Sequence, residues 1–297
     1  MYPRAFHYHR AGSLQEAATM LAQLKDEAKP LAGGQSLIPL MKLRFANPAH
    51  LVDLNFISGA AYTKEEEGRL RLGALARHAA IEASAVVGQI PILHDCAAGI
   101  ADVQVRNRGT IGGSLAEADP SGDWTTVLST LSAEVRCLGS GGERMLPLSA
   151  FIKDAYTTAL AHDELVSEVV VSVPPKGSGG AYLAFKRSAP VYPTASAAVQ
   201  LTMEGEICTD AAIALGCVGL TAIRATQAEV ALRGQVLTEK TIALAMDAAR
   251  AAAEPQTDMR GSADYKRTLV GALVKRAIEI ALRRARGEQV EVGHIYA

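Results

Sequence analysis

The chain reads as an α+β protein built in two parts, and three observations lead there. The opening stretch runs in β-α-β order, the middle is a series of short strands separated by glycine-rich turns, and the last third places two amphipathic helices after an alternating strand pair. At 297 residues the chain also exceeds the roughly 100–200 residues of a typical single domain, so two domains are expected.

The first helix is announced by Ser13-Leu14-Gln15-Glu16, which has the form of a capping box. Leu14, Ala17, Ala18, Leu21 and Leu24 follow at helical spacing. Lys29-Pro30 is expected to end it. A short strand around Leu31-Ala32 then meets Gly33-Gly34, a helical stretch follows near Leu37 to Leu43, and residues 51–54 read as another strand. That order implies a small parallel sheet. Farther on, residues 70–74, 134–138 and 168–173 are short strand candidates, expected to be antiparallel, with one or two helical stretches among them.

Pro174-Pro175 followed by Gly177-Ser178-Gly179-Gly180 has linker composition and sets the expected division. The first domain is residues 1–176, with subdomains of about 1–57 and 58–176, and the second is residues 177–297. In the second, Ala197, Val199, Leu201 and Met203 alternate with Ala198, Gln200, Thr202 and Glu204. Glu204-Gly205-Glu206 then turns the chain into an apolar strand from Ile207. One helix follows Thr238 and runs to about Ala253, ahead of Pro255. The other follows Ser262, with Leu269, Leu273, Ala277 and Ile280 on one face and Arg283, Arg284 and Arg286 at its end.

Composition removes several function classes. The 30 Lys plus Arg against 31 Asp plus Glu leave a formal net charge of -1, which gives the chain as a whole no electrostatic reason to seek nucleic acid. No apolar run approaches the ~18 residues of a membrane span, and Met1-Tyr2-Pro3-Arg4 has no apolar signal core behind it, so a cytoplasmic protein is expected. Cys96, Cys137, Cys208 and Cys217 form no Cys-x-x-Cys pair, and the histidines show no His-x-x-x-His spacing. Neither a zinc site nor a self-contained iron–sulfur site is therefore suggested, and buried free thiols are expected.

The chemistry lies in two glycine-rich loops. In Ala32-Gly33-Gly34-Gln35-Ser36, between a strand and a helix, paired glycines let backbone approach a phosphate and aim consecutive N–H groups at it. A plain strand-to-helix turn has the same local appearance. The second loop, Val105-Arg106-Asn107-Arg108-Gly109-Thr110-Ile111-Gly112-Gly113-Ser114, sets two hydroxyls beside Gly112-Gly113, a composition suited to holding a pyrophosphate between two loops. Neither loop fits G-x-G-x-x-G, Gly139-Ser140-Gly141-Gly142 misses it at Arg144, and no Walker A lysine is present, so nicotinamide dinucleotides and ATP lose support. Two readings stand for Glu117-Ala118-Asp119-Pro120-Ser121-Gly122-Asp123-Trp124. A carboxylate there accepts from ribose hydroxyls, or Asp119-Pro120 opens a turn and Asp123 is the N-cap of a helix through Val127 and Leu131.

Ala32-Gly33-Gly34-Gln35-Ser36-Leu37 with Pro39-Leu40-Met41, joined to Arg106-Asn107-x-Gly109-Thr110-Ile111-Gly112-Gly113-Ser114, resembles the FAD-binding medium subunit of molybdenum hydroxylases. Carbon monoxide dehydrogenase and xanthine dehydrogenase belong to that family. Phe6-x-Tyr8-His9-Arg10, Leu51-Val52-Asp53-Leu54-Asn55 and Arg260-Gly261-Ser262-x-x-Tyr265-Lys266-Arg267 extend the resemblance over nearly the whole chain.

The resemblance implies an FAD-binding domain of the vanillyl-alcohol-oxidase type, made of two α+β subdomains, and then a smaller α+β flavoprotein C-terminal domain. It implies that Ala32, Gly33, Gly34, Gln35 and Ser36, with Thr110, Ile111, Gly112, Gly113 and Ser114, wrap the FAD pyrophosphate. It further implies that Asp123 contacts the adenosine side and that Ile100 lies near the cofactor. Phe185-Lys186-Arg187 followed by Tyr192 resembles the segment beside the isoalloxazine ring, where a cation favours the reduced anionic ring and an aromatic covers one face. Ala189-Pro190-Val191-Tyr192-Pro193 replaces the Gly-Asp-aromatic pattern of the family there, and a solvent-exposed strand position is the other reading of Lys186.

The function so implied is that of an electron-transfer subunit. Substrate is oxidised at a molybdenum cofactor on a large subunit, and two [2Fe-2S] clusters on a small subunit relay the electrons. FAD on this chain passes them to an external acceptor such as NAD, a quinone or oxygen. A heterohexamer with two copies of each subunit is implied, and no acid–base catalytic residue is expected here. The substrate pocket of the family lies on the molybdenum subunit, so this chain does not disclose the substrate. Two rivals are a self-sufficient FAD-dependent oxidase and a non-enzymatic nucleotide-binding assembly protein.

Overall fold

The structure is a computed structural model that describes residues 2–293 and 295–296. Its first unit comprises β1 (His7–Arg10), α1 (Leu14–Leu24), β2 (Ala28–Leu31), α2 (Leu37–Leu43) and β3 (His50–Asp53). The three strands form a parallel sheet in the order β1-β3-β2. Ser13 caps α1 as expected, accepting from the Glu16 N–H at 3.0 Å, whereas the Glu16 carboxylate reaches past the cap to the Gly12 N–H at 2.7 Å. The helix ends earlier than Lys29-Pro30 suggested. It stops at Leu24, a single 3-10 turn follows, and Lys29-Pro30 lie inside β2. As an edge strand, β2 tolerates a proline with no N–H. Strand β1 was invisible to periodicity because His7, Tyr8 and Arg10 are exposed and no apolar face is repeated.

The second unit contains β4 (Thr63–Glu66), β5 (Arg69–Gly73), α3 (His78–Glu82), α4 (Pro91–Gly99), α5 (Val103–Arg106), α6 (Ile111–Glu117) and α7 (Asp123–Thr130). It continues through β6 (Glu134–Gly139), β7 (Gly142–Pro147), α8 (Leu148–Phe151), β8 (Ile152–Asp154), β9 (Thr157–Thr158) and β10 (Leu165–Ser172). The five-stranded sheet, β4-β5-β10-β6-β7, is antiparallel throughout, as the middle of the sequence suggested.

The third unit is β11 (Ser178–Lys186), β12 (Ala195–Glu204), β13 (Ile207–Gly216), β14 (Ile223–Arg224), α9 (Thr226–Leu232), β15 (Gln235–Val236), α10 (Glu239–Ala252), α11 (Ala263–Ala285) and β16 (Ile295–Tyr296). The strands lie in the order β14-β13-β12-β11-β16, with β15 on β13. Both faces of this sheet are buried. Ala197, Val199 and Leu201 pack with Ala245, Val274 and Ile278 of α10 and α11. Tyr182, Ala198 and Ala214 belong to the core of the second unit, together with Ile92, Cys96 and Trp124. The alternation in β12 therefore separates two packed faces rather than a core face from a wet one.

Ser178-Gly179-Gly180, read as linker, opens β11 instead. A Cβ on Gly179 would run into the Ala281 carbonyl oxygen and the Ala285 nitrogen of α11, and one on Gly180 into the Gln200 side chain. Close packing, not flexibility, requires these glycines.

The seam between the second and third units is crossed by polar links, among them three buried ones and an exposed one from Arg224. Arg284 pairs with Asp95, the Tyr182 hydroxyl donates to Asp123, Lys186 to the Gly99 carbonyl, and Arg224 to the Ser129 carbonyl. Removing one partner of a buried ion pair typically costs about 3–5 kcal/mol, because the other charge is left uncompensated.

Gly179→Val should force α11 off β11 and destabilise the chain by about 1–3 kcal/mol, the usual cost of overpacking. Gly88→Ala, where a Cβ meets nothing within 4 Å, should leave stability unchanged. Urea unfolding of both variants measures the difference.

Candidate functional site

Strand β2 runs directly into Ala32-Gly33-Gly34-Gln35-Ser36, and α2 starts at Leu37. Gly34 has φ +74°, a left-handed conformation that glycine adopts without strain. Among the described residues, the N–H groups from Ala32 to Ser36 find no backbone acceptor. A row of such donors in a loop is an anion cradle.

The second loop lies against the first, backbone to backbone. A Cβ on Gly33 would run into the Arg108 carbonyl oxygen and stand 2.8 Å from the Gly109 Cα. The second loop is bonded firmly into its own unit. His78 N–H donates to the Gly109 carbonyl at 3.1 Å, Ile111 N–H to Ala76 at 3.1 Å and Gly112 N–H to Ala74 at 2.9 Å. Thr110 caps α6, taking the Gly113 N–H on its hydroxyl at 3.1 Å, while the Ser114 N–H returns to the Thr110 carbonyl. Ile111 and Gly112 are buried, and a Cβ on Gly112 would meet Ala74. The loop therefore presents the half-buried Ser114 and the exposed Gly113, while the buried Thr110 hydroxyl is taken up by the cap.

Sequence reasoning missed the lock that holds these loops together. Asn55 Nδ2 donates to the Ala32 carbonyl at 2.9 Å and to Asp53 Oδ1 at 2.6 Å. Arg77 donates both to Asn55 Oδ1 and to the Arg108 carbonyl, so it bridges the first loop to the second. The Tyr8 hydroxyl donates to Asp53 Oδ2 at 2.6 Å. Burial alone pushes the Asp53 carboxyl up, but the Tyr8 hydroxyl, the Asn55 N–H groups and Arg108 together hold it below the ordinary range. Burial and the neighbouring Arg108 both work against the Arg77 cation. Two guanidinium groups thus crowd the place where the loops meet, with Asp53 as the nearby carboxylate. An anion there is favoured.

His78 is the base of the second loop. Its Nδ1 accepts from Trp124 Nε1 at 3.1 Å, which leaves the ring proton on Nε2, the atom that packs against Gly109. Burial, reinforced by Arg77 and Arg106, lowers its pKa to about 4, and the ring stays neutral.

The remaining sequence candidates gather at the seam. Asp123 is the first helical residue of α7, and its N-cap is Gly122 without a side-chain bond, which corrects the reading of Asp123 as N-cap. Its buried carboxylate accepts the Tyr182 hydroxyl at 2.6 Å. Burial pushes that carboxyl up, while Lys186 and the Tyr182 hydroxyl oppose the rise. Lys186 is buried, with Nζ on the carbonyl of Gly99, so the solvent-exposed reading is overturned. Ile100, next in the chain, is buried beside it. Tyr192 stands in the loop after β11, 46% exposed, with the Arg260 guanidinium 5.6 Å from its ring centre. The structure thus joins the two loops at one place and Ile100, Asp123 and Lys186 at another.

Residues 4–175 match the family model described as the FAD binding domain in molybdopterin dehydrogenase, and residues 180–281 match that of the CO dehydrogenase flavoprotein C-terminal domain. The chain is 39% identical to the carbon monoxide dehydrogenase medium chain of Afipia carboxidovorans, over 96% of this chain and 100% of the relative. It is 38% identical to the alpha subunit of the 6-hydroxypseudooxynicotine dehydrogenase complex of Paenarthrobacter nicotinovorans, over 99% and 100%. Among solved structures, carbon monoxide dehydrogenase from Hydrogenophaga pseudoflava superposes with a TM-score of 0.93 at 41% identity, covering 96% of this chain and 99% of that one. Quinoline 2-oxidoreductase from Pseudomonas putida does so with a TM-score of 0.91 at 35% identity, covering 96% and 99%.

The buried His78 makes a pH prediction. Its pKa falls from 6.5 to about 4 on folding, so the unfolded chain takes up a proton that the folded chain resists. Its contribution is fully present above pH 6.5 and is lost as pH falls through about 4, a total of about 3 kcal/mol. His78→Gln should be less stable than the wild type at pH 7, and the gap should narrow by about that amount at pH 4. Urea titrations across this range measure it.

Proposed function

Because the chain belongs to the FAD-binding medium subunits of the molybdenum hydroxylase family, we propose that it is the electron-transfer subunit of such a complex. It would hold FAD with the pyrophosphate against the two glycine loops. The observation that carries the reading is the backbone contact between Gly33 and Arg108-Gly109, flanked by free N–H donors and by Arg77 and Arg108. These residues fit a dinucleotide's negative middle.

When bound, FAD supplies one- and two-electron transfer that no side chain offers. The protein's part is to bind and orient it. The N–H groups of Ala32, Gly33, Gly34, Gln35 and Ser36 meet the phosphates, Thr110 and Ser114 add hydroxyls, and Ile111, Gly112 and Gly113 keep the second loop close. Ile100, Asp123, Lys186 and Tyr192 complete the proposed contacts. Asp123 serves hydroxyls of the cofactor, and Lys186 and Tyr192 serve the flavin ring, where a buried cation favours negative charge.

In the assembled enzyme a large subunit would hold a molybdenum cofactor for substrate oxidation, and a small subunit would hold two [2Fe-2S] clusters as the source of electrons for this chain. An external acceptor collects them. The proposed assembly has two copies of each subunit and works in the cytoplasm. No helix among the described residues is long and apolar enough to cross a membrane. Near-complete coverage of relatives that are named as medium chains or as subunits of complexes supports a subunit role over a self-sufficient oxidase.

The purified chain, alone and with its partner subunits, should show a flavin spectrum and release about one FAD per chain on denaturation. Molybdenum and iron should appear only with the partners. Gly33→Val should stay folded by circular dichroism yet retain no FAD, since its side chain would occupy the loop contact. Undiminished flavin in that variant would argue against the loop site, and absence of flavin in every preparation would argue for the assembly-protein reading.

A further inference from the structure

The shortest ion pair across the seam is made by two residues outside the proposed cofactor site. Asp95 on α4 and Arg284 at the end of α11 form a bidentate pair, Nη1 to Oδ2 at 2.6 Å and Nη2 to Oδ1 at 3.0 Å. Their side chains are 2% and 7% exposed. Every other donor of Arg284 is engaged: Nη1 also reaches the Gly180 carbonyl at 2.7 Å, and Nε and Nη2 both reach the Val290 carbonyl. Asp95 Oδ2 takes the Tyr182 N–H at 3.1 Å as well. One pair therefore pins β11 to α4 at Gly180 and Tyr182.

That register propagates. Gly99 lies one helical turn beyond Asp95, and Lys186 lies four residues beyond Tyr182 on the same face of the strand. Lys186 Nζ meets the Gly99 carbonyl there, beside Ile100. Another buried polar link nearby is the Tyr182 hydroxyl donating to Asp123 at 2.6 Å. Among the described residues, Thr126 Oγ1, Ser196 Oγ and Gln200 Oε1 are buried without a hydrogen-bond partner.

We propose that the Asp95–Arg284 pair is a positioning device for Lys186, setting where its ammonium stands beside Ile100 at the flavin end of the site. The inference rests on the reading of Lys186 as a flavin neighbour. Arginine is needed because its planar fork meets both carboxylate oxygens while still serving two carbonyls, a geometry that lysine lacks. An apolar pair of similar volume restores burial and frequently stability, but it cannot hold the Tyr182 N–H.

The test uses the full chain carrying Asp95→Leu with Arg284→Met, and separately Asp95→Asn and Arg284→Lys. Three quantities are read: the melting temperature, the acetylation rate of Lys186 in the flavin-free chain by mass spectrometry, and the dissociation constant for added FAD. In the double variant the melting temperature should return close to wild type. Lys186 should nevertheless acetylate at least about tenfold faster, and FAD should bind about tenfold more weakly, the scale of one lost charge-assisted contact. Arg284→Lys should not rescue either quantity. Wild-type acetylation and FAD binding in a stable double variant would overturn the proposal and leave the pair a structural strut. If the double variant does not fold, Asp95→Asn decides by the same labelling rate, a wild-type rate overturning the proposal. A wild-type chain that binds no FAD would sink the flavin reading, while the labelling rate would still decide whether the pair positions Lys186.

Discussion

The site depends on two loops approaching so closely that no side chain fits between them. Gly33 meets the backbone of Arg108 and Gly109, and a single Cβ there would separate them. The loops come from different units, one following a parallel strand and the other opening a short helix. Their meeting place must therefore be fixed from both sides. Asn55 does this from the first unit, Arg77 reaches it from the second, and His78 with Trp124 supports the second loop from beneath. The cost is a crowd of cations with little neutralising charge, which makes the same place attractive to a diphosphate.

A second constraint is the two-sided sheet of the third unit. One face is packed by α10 and α11, and the other closes against α4 and α7. That second face brings Lys186 and Tyr182 into contact with groups of the second unit, at Gly99 and Asp123. The third unit is thus packed firmly on the second and not an appendage joined by a tether. Gly179 and Gly180 show this plainly, since both are kept small by neighbours rather than by a need for mobility. Asp95 and Arg284 give the packing its register. Burying both charges costs several kcal/mol of desolvation, which their bidentate geometry and further hydrogen bonds must offset.

Among the described residues the chain has two glycine-rich loops that meet at their backbones and no group of three or more His, Cys, Asp or Glu that could hold a metal ion. Two relatives that match over their full length are named for carbon monoxide and for 6-hydroxypseudooxynicotine. Such different names on one architecture agree with a fold that does not by itself fix the substrate.

Much of this was legible in local sequence. Ser13, Thr238 and Ser262 each cap the helix expected after them, because capping needs only a side chain and an N–H a few residues on. The turn at Glu204-Gly205-Glu206 and the paired glycines of both loops were similarly visible, since backbone freedom is a property of the residue itself. The burial of Lys186 was not legible, nor were the partners of Arg77 and Asn55 or the Asp95–Arg284 pair. Periodicity reveals that a strand has a buried face, but not that its other face is buried by a second unit. A hydrogen bond between residues 189 positions apart leaves no local spacing to read. The sequence by itself determined the helix starts, the glycine loops and the family. Only the tertiary structure decided which charges are buried, what they pair with and how the loops are locked, because burial and partnership depend on segments that meet only when the chain folds.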